Sequence, residues 1–482
     1  MKYIKYLTFT LAAILMSCDA DEFLNPIPDT VVVEQAFYQS DADVLQGVIG
    51  IYDALQGVND ATESSEANFN RGVQFEHLLT EHRSDNTRNA TLEGSKADFH
   101  RYVIQAVNVE SEDYWASMYN VIFRANNILN FIDIADESNQ ARYTAEAKFL
   151  RAYAYFKLVR LYSDIPLVTE VVLAEDREAV FTRVSEETVY AQIVEDLQEA
   201  IAVLDNTYKS RASRAAAQGL LAKVYMSQPT RNYEAALQLC EAIINSGEFS
   251  LQDNFSDVFY NELNDEIIFA IQYDFGNPQE SQGYSAEFAS TFRQGTDDGQ
   301  NILHDNLIAD FQAFGGTRTD VSFITFPTRS EVTKYLPEGS DLSIFPPSYG
   351  DNARNAGNDY IALRYADILL MQVEAAIGTG TSTTNAGALR SFQLIRDRAF
   401  PETAPNSVSS ISKEELLVER RVELAFENQR WFDLQRFGVA AEVLAAHALE
   451  EGYTFTGTDL LLPIPAREIN LSGGLLTQNP GY

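Results

Sequence analysis

Cysteine is nearly absent from this 482-residue chain: Cys18 and Cys240 are its only two. No disulfide framework holds such a protein together. Histidine is scarce, with five in all. His77 and His82 stand five apart, the wrong spacing for two metal ligands on one helical face. No third ligand stands near them, so no metal site and no cofactor are expected. Positive charge is also short. Thirty-five Lys and Arg face 70 Asp and Glu, a formal net charge of −35. That disfavours nucleic acid, whose binding rests on neutralising phosphates, and docking on anionic lipid. Beyond the N-terminus no apolar run reaches the roughly 20 residues a membrane span needs. A GxSxG elbow, a Walker loop and an HExxH motif are all missing, which removes the commonest signatures of catalysis.

What is present is ordinary globular material, 45% hydrophobic, which excludes wholesale disorder. Length alone would allow about three domains of roughly 100–200 residues. Residues 1–17 are laid out as a secretory signal, with Lys2 and Lys5 before an apolar run from Leu7 to Met16. Leu15-Met16-Ser17-Cys18 resembles the bacterial lipobox, which implies cleavage before Cys18 and lipidation of Cys18. Several acyl chains suffice for stable anchoring where one is marginal. Residues 18–40 read as an extended tether stiffened by Pro26 and Pro28. Cys240 falls on the apolar face of an expected helix and reads as a small buried hydrophobe.

Helical periodicity dominates the remainder. Ser40-Asp41-Ala42-Asp43 starts one helix, with acids at the positive end of its dipole. Regular helices resume at Tyr114. Residues 141–163 are apolar on two faces, as in a helix packed on both sides. Ser185 caps the next stripe, Val189 to Leu204. Residues 213–227 and 233–246, broken by Pro229 and stopped by Gly247, approximate the 34-residue tetratricopeptide (TPR) unit. Two more pairs, 141–163 with 188–204 and 360–377 with 387–399, have the same proportions. The spacing predicts a mainly α fold of stacked, TPR-like helical hairpins over 41–248 and 359–482. Residues 57–113 are polar with poor periodicity and read as early binding loops. Residues 249–358 read as a loop-rich insertion with short strands, one over 267–273. Functional sites are often built on such loops over a rigid frame.

A capping box, Ser412-Lys413-Glu414-Glu415, opens a long charged helix that runs through Glu427. Glu419, Glu423 and Glu427 invite a glycosidase test, since such enzymes use paired acids. Four apart on one helix, they line up along an axis and do not flank a substrate. Arg420, Arg421 and Arg430 stand close enough to neutralise them, so a structural salt-bridge network is the reading. Asp297-Asp298, in a Gly-rich stretch, lacks the alternation of an EF-hand loop. It reads as a solvated turn, with calcium as the alternative.

The stretch from Glu419 to Gly438, ERRVELAFENQRWFDLQRFG, resembles the C-terminal signature of the RagB/SusD family. Ala145–Ala152 followed by Asp164-Ile165-Pro166-Leu167-Val168, Leu363–Met371 with Glu374-Ala375, Pro463-Ile464-Pro465 and the ending Gln478–Tyr482 agree with it. So does the leader Asp21-Glu22-Phe23-Leu24. The resemblance covers essentially the whole chain as one domain over 41–482. It implies about four TPR-like helix pairs and a non-catalytic lipoprotein on the cell surface of a Bacteroidetes-type bacterium. It further implies a SusC-like TonB-dependent transporter as partner in the outer membrane, and capture of oligosaccharide or polysaccharide, or sometimes peptide. The acidic residues just after Cys18 resemble the family's surface-export tag. Sugars ask for aromatic platforms and fixed polar groups, and the family places its site in the early loops and the insertion. Those regions offer His77, His82, Arg83, Asp85, Asn86 and Arg88, and then Tyr284, Phe292, Arg293, Asp297 and Tyr349. Trp115 and Trp431 both lie in scaffold-like segments, which leaves room for charged or smaller glycans, or peptide. A TPR-type protein-interaction or peptide-capture module on the same tether is the alternative. A lipoprotein glycosidase is the third reading.

Overall fold

Eight helices, each packed on the next, form the frame of this computed structural model. It describes residues 37–57, 70–172, 176–275, 277, 279–288, 301–327, 329–336, 340, 356–403 and 407–482. The signal, most of the tether, Cys18, Phe292, Arg293, Asp297, Asp298 and Tyr349 lie outside the described residues.

Helix α1 (Asp41–Ala54) starts at Ser40, whose Oγ accepts the Asp43 N–H. Helix α2 (Gly72–Thr80) packs against α3 (Val109–Asn130) without taking a place in the row's order. Then come α4 (Glu137–Tyr162), α5 (Glu186–Val203), α6 (Arg214–Ser227) and α7 (Tyr233–Ser246). Helix α8 (Asp305–Phe314) belongs to the insertion. Helices α9 (Tyr365–Ile377) and α10 (Ala386–Ala399) end the row, and α11 (Lys413–Glu423), α12 (Arg430–Phe437) and α13 (Ala440–Glu450) close over it. The row runs α1, α3, α4, α5, α6, α7, α9, α10, which makes four pairs. The three expected hairpins, α4 with α5, α6 with α7 and α9 with α10, are all in contact. Caps expected at Ser185 and Ser412 are formed, Ser213 also caps α6, and Gly247 ends α7 at φ 69°. Cys240 is fully buried on α7 and free. Gly219 lets α6 press on its neighbours, since a Cβ there would lie 2.6 Å from Leu363 Cδ2 and 2.8 Å from Ile368 Cδ1.

Four expectations change. Helix α3 begins at Val109, ahead of Tyr114, because the Asn108 side chain accepts the Ser111 N–H as its cap. The segment from 359 opens as a strand. Strand β2 (Ile267–Ile271) pairs antiparallel with β6 (Tyr360–Arg364), Ile271 opposite Tyr360, before α9 starts. A short apolar run does not distinguish the two conformations by periodicity. The charged helix α11 stops at Glu423, because Phe426 (φ 68°) and Asn428 (φ 59°) turn the chain through the left-handed region. Residues 57–113 are not wholly irregular. Helix α2 is buried on every side, polar Gln74, Glu76 and His77 included, so it shows no amphipathic period.

A separate four-stranded sheet joins one early strand to three from the stretch between β2 and β6, in the order β1, β3, β5, β4. Its strands are β1 (Thr87–Arg88), β3 (Ile302–Leu303), β4 (Phe323–Thr325) and β5 (Ser330–Val332). Thr87 faces Leu303, so the early loops and the insertion share one sheet.

The carboxylates of α11 and its turn do form a salt-bridge network, with partners other than those expected. Glu423 receives Arg318 Nη1 at 2.9 Å, Arg364 Nη1 at 2.6 Å and Arg398. Glu419 receives Arg318 at 2.7 Å, and Glu427 receives Lys334 at 2.6 Å and Arg364 at 2.8 Å. Glu266, just before β2, joins through Arg364 and Arg398. Arg420 turns instead to Asp367 and Asp433, while Arg421 and Arg430 turn to Asp85. Burial alone would push the Glu423 carboxyl up. The three guanidinium groups outweigh it and hold that carboxyl well below the usual range.

A depressed carboxylate contributes stability above its unfolded pKa, near 4.3, and loses it as pH falls toward the folded value. Chemical denaturation should therefore show stability declining below about pH 4.3. Glu423→Gln leaves three guanidinium groups short of a counter-charge and is expected to lose about 3–5 kcal/mol at pH 7. It should also flatten the acid limb of the stability profile.

Candidate functional site

Described residues that flank 58–69 and 289–300, together with Ala356, meet around Gln279–Phe288. Asn70 Nδ2 donates to the carbonyls of Gln279 (2.8 Å) and Ser281 (2.7 Å). The Gly72 N–H donates to the Gln56 carbonyl, and Gln56 Nε2 to the Gln272 carbonyl at 2.8 Å. Gln282 and Ala356 form an antiparallel bridge with N–H···O distances of 2.9 and 3.0 Å. Asn358 Nδ2 donates to the Leu336 carbonyl, and Tyr284 Oη donates to the Asn358 carbonyl. Phe288, the last described residue before 289, packs on the His77 ring at 4.5 Å.

The floor under these ends is aromatic. Tyr284 meets Tyr273, Phe288 and Tyr335 with ring centroids 5.4–6.0 Å apart, and Tyr335 meets Tyr360. The edge-to-face and tilted geometries favour such rings beyond their buried area. Beside the floor, among the described residues, lies an open cleft of about 470 Å³. It is lined by Gln46, Ile49, Asp53 and Gln56 from the α1 side and by Asp274 and Glu280 from the insertion. Ile49 is 53% exposed there. The cleft therefore combines apolar and aromatic contacts, such as Ile49, Leu55, Ile271, Tyr52 and Tyr273, with carboxylates and amides, a composition that suits hydroxyl-bearing ligands.

Most of the expected ligand residues take another part. His77, His82, Arg83, Asp85 and Asn86 are each no more than 3% exposed. They do not form the open polar surface expected of them, because their polar groups are taken up by the fold. Arg83 stacks on Trp431 at 4.0 Å and donates to the Leu79 carbonyl. Asp85 takes a bidentate pair from Arg430 at 2.7 and 2.8 Å, and Asn86 Oδ1 accepts Arg421 Nε at 2.9 Å. Burial would raise Asp85, but Arg421 and Arg430 hold it far below the carboxylate range. Tyr284 is buried too and supports the floor. Arg88 alone among the described candidates is half-buried, with Nη1 on the Asn89 carbonyl.

Burial lowers His77 to about 4, against the opposing influence of the nearby Asn301 and Asn428 side chains, so the ring is neutral. It stands between Phe288 and Asn301, the two ends of 289–300, and positions them. Burial raises Glu81 to about 7 despite the Asn86 side chain and the Asn428 N–H that hydrogen-bond to it. The sequence reading missed Asn70, Gln56 and Gln282. They donate to backbone carbonyls far away in the chain, and no local pattern marks that.

The comparisons agree with this architecture. Residues 324–482 match the SusD family, and residues 33–226 match a family described as "Starch-binding associating with outer membrane". SusD-like protein P25 of Formosa agariphila is 29% identical, the match covering 97% of this chain and 98% of that protein. SusD-like protein P2 of the same organism is 28% identical over the whole of both. A laminarin binding SusD-like protein of known structure superposes with a TM-score of 0.74 at 24% identity, over 92% of this chain and all of that one. Surface glycan-binding protein A from Bacteroides thetaiotaomicron, in complex with laminarihexaose, gives 0.72 at 20% identity over 91% and 99%. The helical row, the inserted sheet and the signature around Glu423 belong to one design, and this chain is a member of the RagB/SusD family.

Proposed function

We propose that this protein captures oligosaccharide or polysaccharide at the cell surface and passes it, uncleaved, to a SusC-like TonB-dependent transporter in the outer membrane. The observation that carries the reading is the meeting of Gln56, Asn70 and Ala356 with residues 279–288, over a buried aromatic floor. A capture surface needs several loops held side by side by a frame that does not move. Family membership and structural neighbours named as laminarin- and glycan-binding proteins point the same way. Non-catalytic binding fits the fate of Glu419, Glu423 and Glu427, all spent on cations. The ligand contacts we assign are Phe292, Arg293 and Tyr349 on the loops, with Arg88 at the sheet edge. The buried His77, His82, Arg83, Asp85, Asn86 and Tyr284 belong to the frame.

A second reading is peptide capture by the helical row. A cleft of about 570 Å³ between α7, α9 and α10 favours it, lined by Leu369, Gln372, Arg390, Leu394 and Asp397 among others. Apolar and charged groups alternate there, as an extended peptide would require.

Affinity gels and calorimetry across neutral and acidic polysaccharides separate these readings. Retention by one polysaccharide class is expected. Phe292→Ala and Tyr349→Ala should each weaken it by roughly tenfold, about 1.4 kcal/mol, with the unfolding midpoint unchanged. Peptide binding lost in Leu394→Asp, with no glycan retained, would favour the second reading instead. For the anchor, Cys18→Ala should move the protein from the outer-membrane fraction to the soluble one, and unchanged membrane retention would refute lipidation there.

A further inference from the structure

All five histidines of the chain gather on one side of the fold. His77 and His82 contact each other, His82 contacts His100, and His304 contacts His447 with ring centroids 4.3 Å apart. Residues far apart in sequence meet here. His304 ends the β3 segment, and its N–H donates to the Asn86 carbonyl beside β1. His447 and Glu451 lie one turn apart at the end of α13, the spacing that puts two side chains on one helical face.

One nitrogen of each imidazole and one carboxylate oxygen of Glu451 lie within 4.8 Å of one another. His304 Nδ1 stands 3.3 Å from Glu451 Oε1. A tetrahedral ion with bonds of about 2.0–2.1 Å needs ligand atoms roughly 3.3 Å apart. His304 occupies the position before α8 but makes no capping bond to it, so its ring is not spent on the helix. The ring is 5% exposed, and its Nε2 has no hydrogen-bond partner among the described residues. His100, the next imidazole, has neither ring nitrogen bonded among the described residues.

We propose that His304, His447 and Glu451 bind one divalent ion of the Zn²⁺ class. Two imidazoles and one carboxylate suit a borderline cation, whereas Ca²⁺ and Mg²⁺ require oxygen donors. The Glu451 side chain is 35% exposed, so a fourth position opens toward solvent for water or an exogenous donor. The ion joins the insertion, through His304, to the C-terminal helix α13. Arg88 is the opposing charge, since it acts electrostatically on Glu451. A net charge of −35 on the whole chain draws cations toward it.

The test uses the full chain, stripped with a chelator and titrated with Zn²⁺ by calorimetry, and with Co²⁺ by its visible absorption. One equivalent per chain, a tetrahedral Co²⁺ spectrum and a raised thermal midpoint are expected, while Ca²⁺ leaves the midpoint unchanged. Glu451→Gln and His447→Ala should each weaken Zn²⁺ by more than the roughly 10–100-fold that loss of an outer partner causes. Glu450→Gln, exposed on the same helix, keeps full affinity, and Arg88→Gln tightens it. Glu451→Gln is a surface change that keeps the fold, so its result stands if His447→Ala proves unstable. Absence of Zn²⁺ binding, equal binding of Ca²⁺, or Zn²⁺ binding that survives Glu451→Gln overturns the proposal.

Discussion

Glu423 has no access to solvent, yet its carboxylate is ionised, because Arg318, Arg364 and Arg398 all reach it. Each of those arginines comes from a different part of the chain: the insertion, the strand before α9 and the end of α10. The rest of the structure depends on that meeting. An unpaired charge at this depth would be intolerable, and a paired one fixes where every contributing segment must lie. Arginine suits the task because its planar fork satisfies two carboxylates at once, as Arg364 does for Glu423 and Glu427. Buried ion pairs of this kind are weak sources of net stability. Here they set register among segments that share no local pairing.

The left-handed turn at Phe426 and Asn428 follows from the same constraint. Arg364 binds the backbone carbonyl of Glu423, and Lys334 binds that of Ala425, so the backbone is held as firmly as the side chains. Asn428 then offers its N–H to Glu81 and its side chain to Tyr360. The signature stretch thereby touches both the early segment and the strand beneath the loops. The network thereby ties the frame to the residues around Gln279–Phe288.

Much of the frame was legible in the sequence. Stripes of apolar residues at helical spacing, the serine caps and Gly247 placed the hairpins of the row, since those signals act within a few residues. The strand at Tyr360–Arg364 was not legible, because a short apolar run fits either conformation. The network was foreseen as a network, but its cations were sought nearby in sequence and lie up to 105 residues away. The ligand residues were the hardest to read. His77, Arg83 and Asp85 look like a polar binding loop in one dimension, yet burial turns them into supports. The convergence at Gln279–Phe288 rests on side-chain bonds to distant carbonyls, which composition does not encode.

The distance between Glu266 and Glu427 along the chain has a kinetic meaning. Neighbouring helices of the row find each other by local contacts and can pair as soon as both exist. Glu266 alone stands opposite Arg364 and Arg398 until residues 419–433 arrive, and Arg318 has no carboxylate in the network before then. A chain synthesised only to α10 would hold its first hairpins beside an open, positively charged middle. Completion of this protein is therefore a late and concerted event, controlled from its C-terminal end.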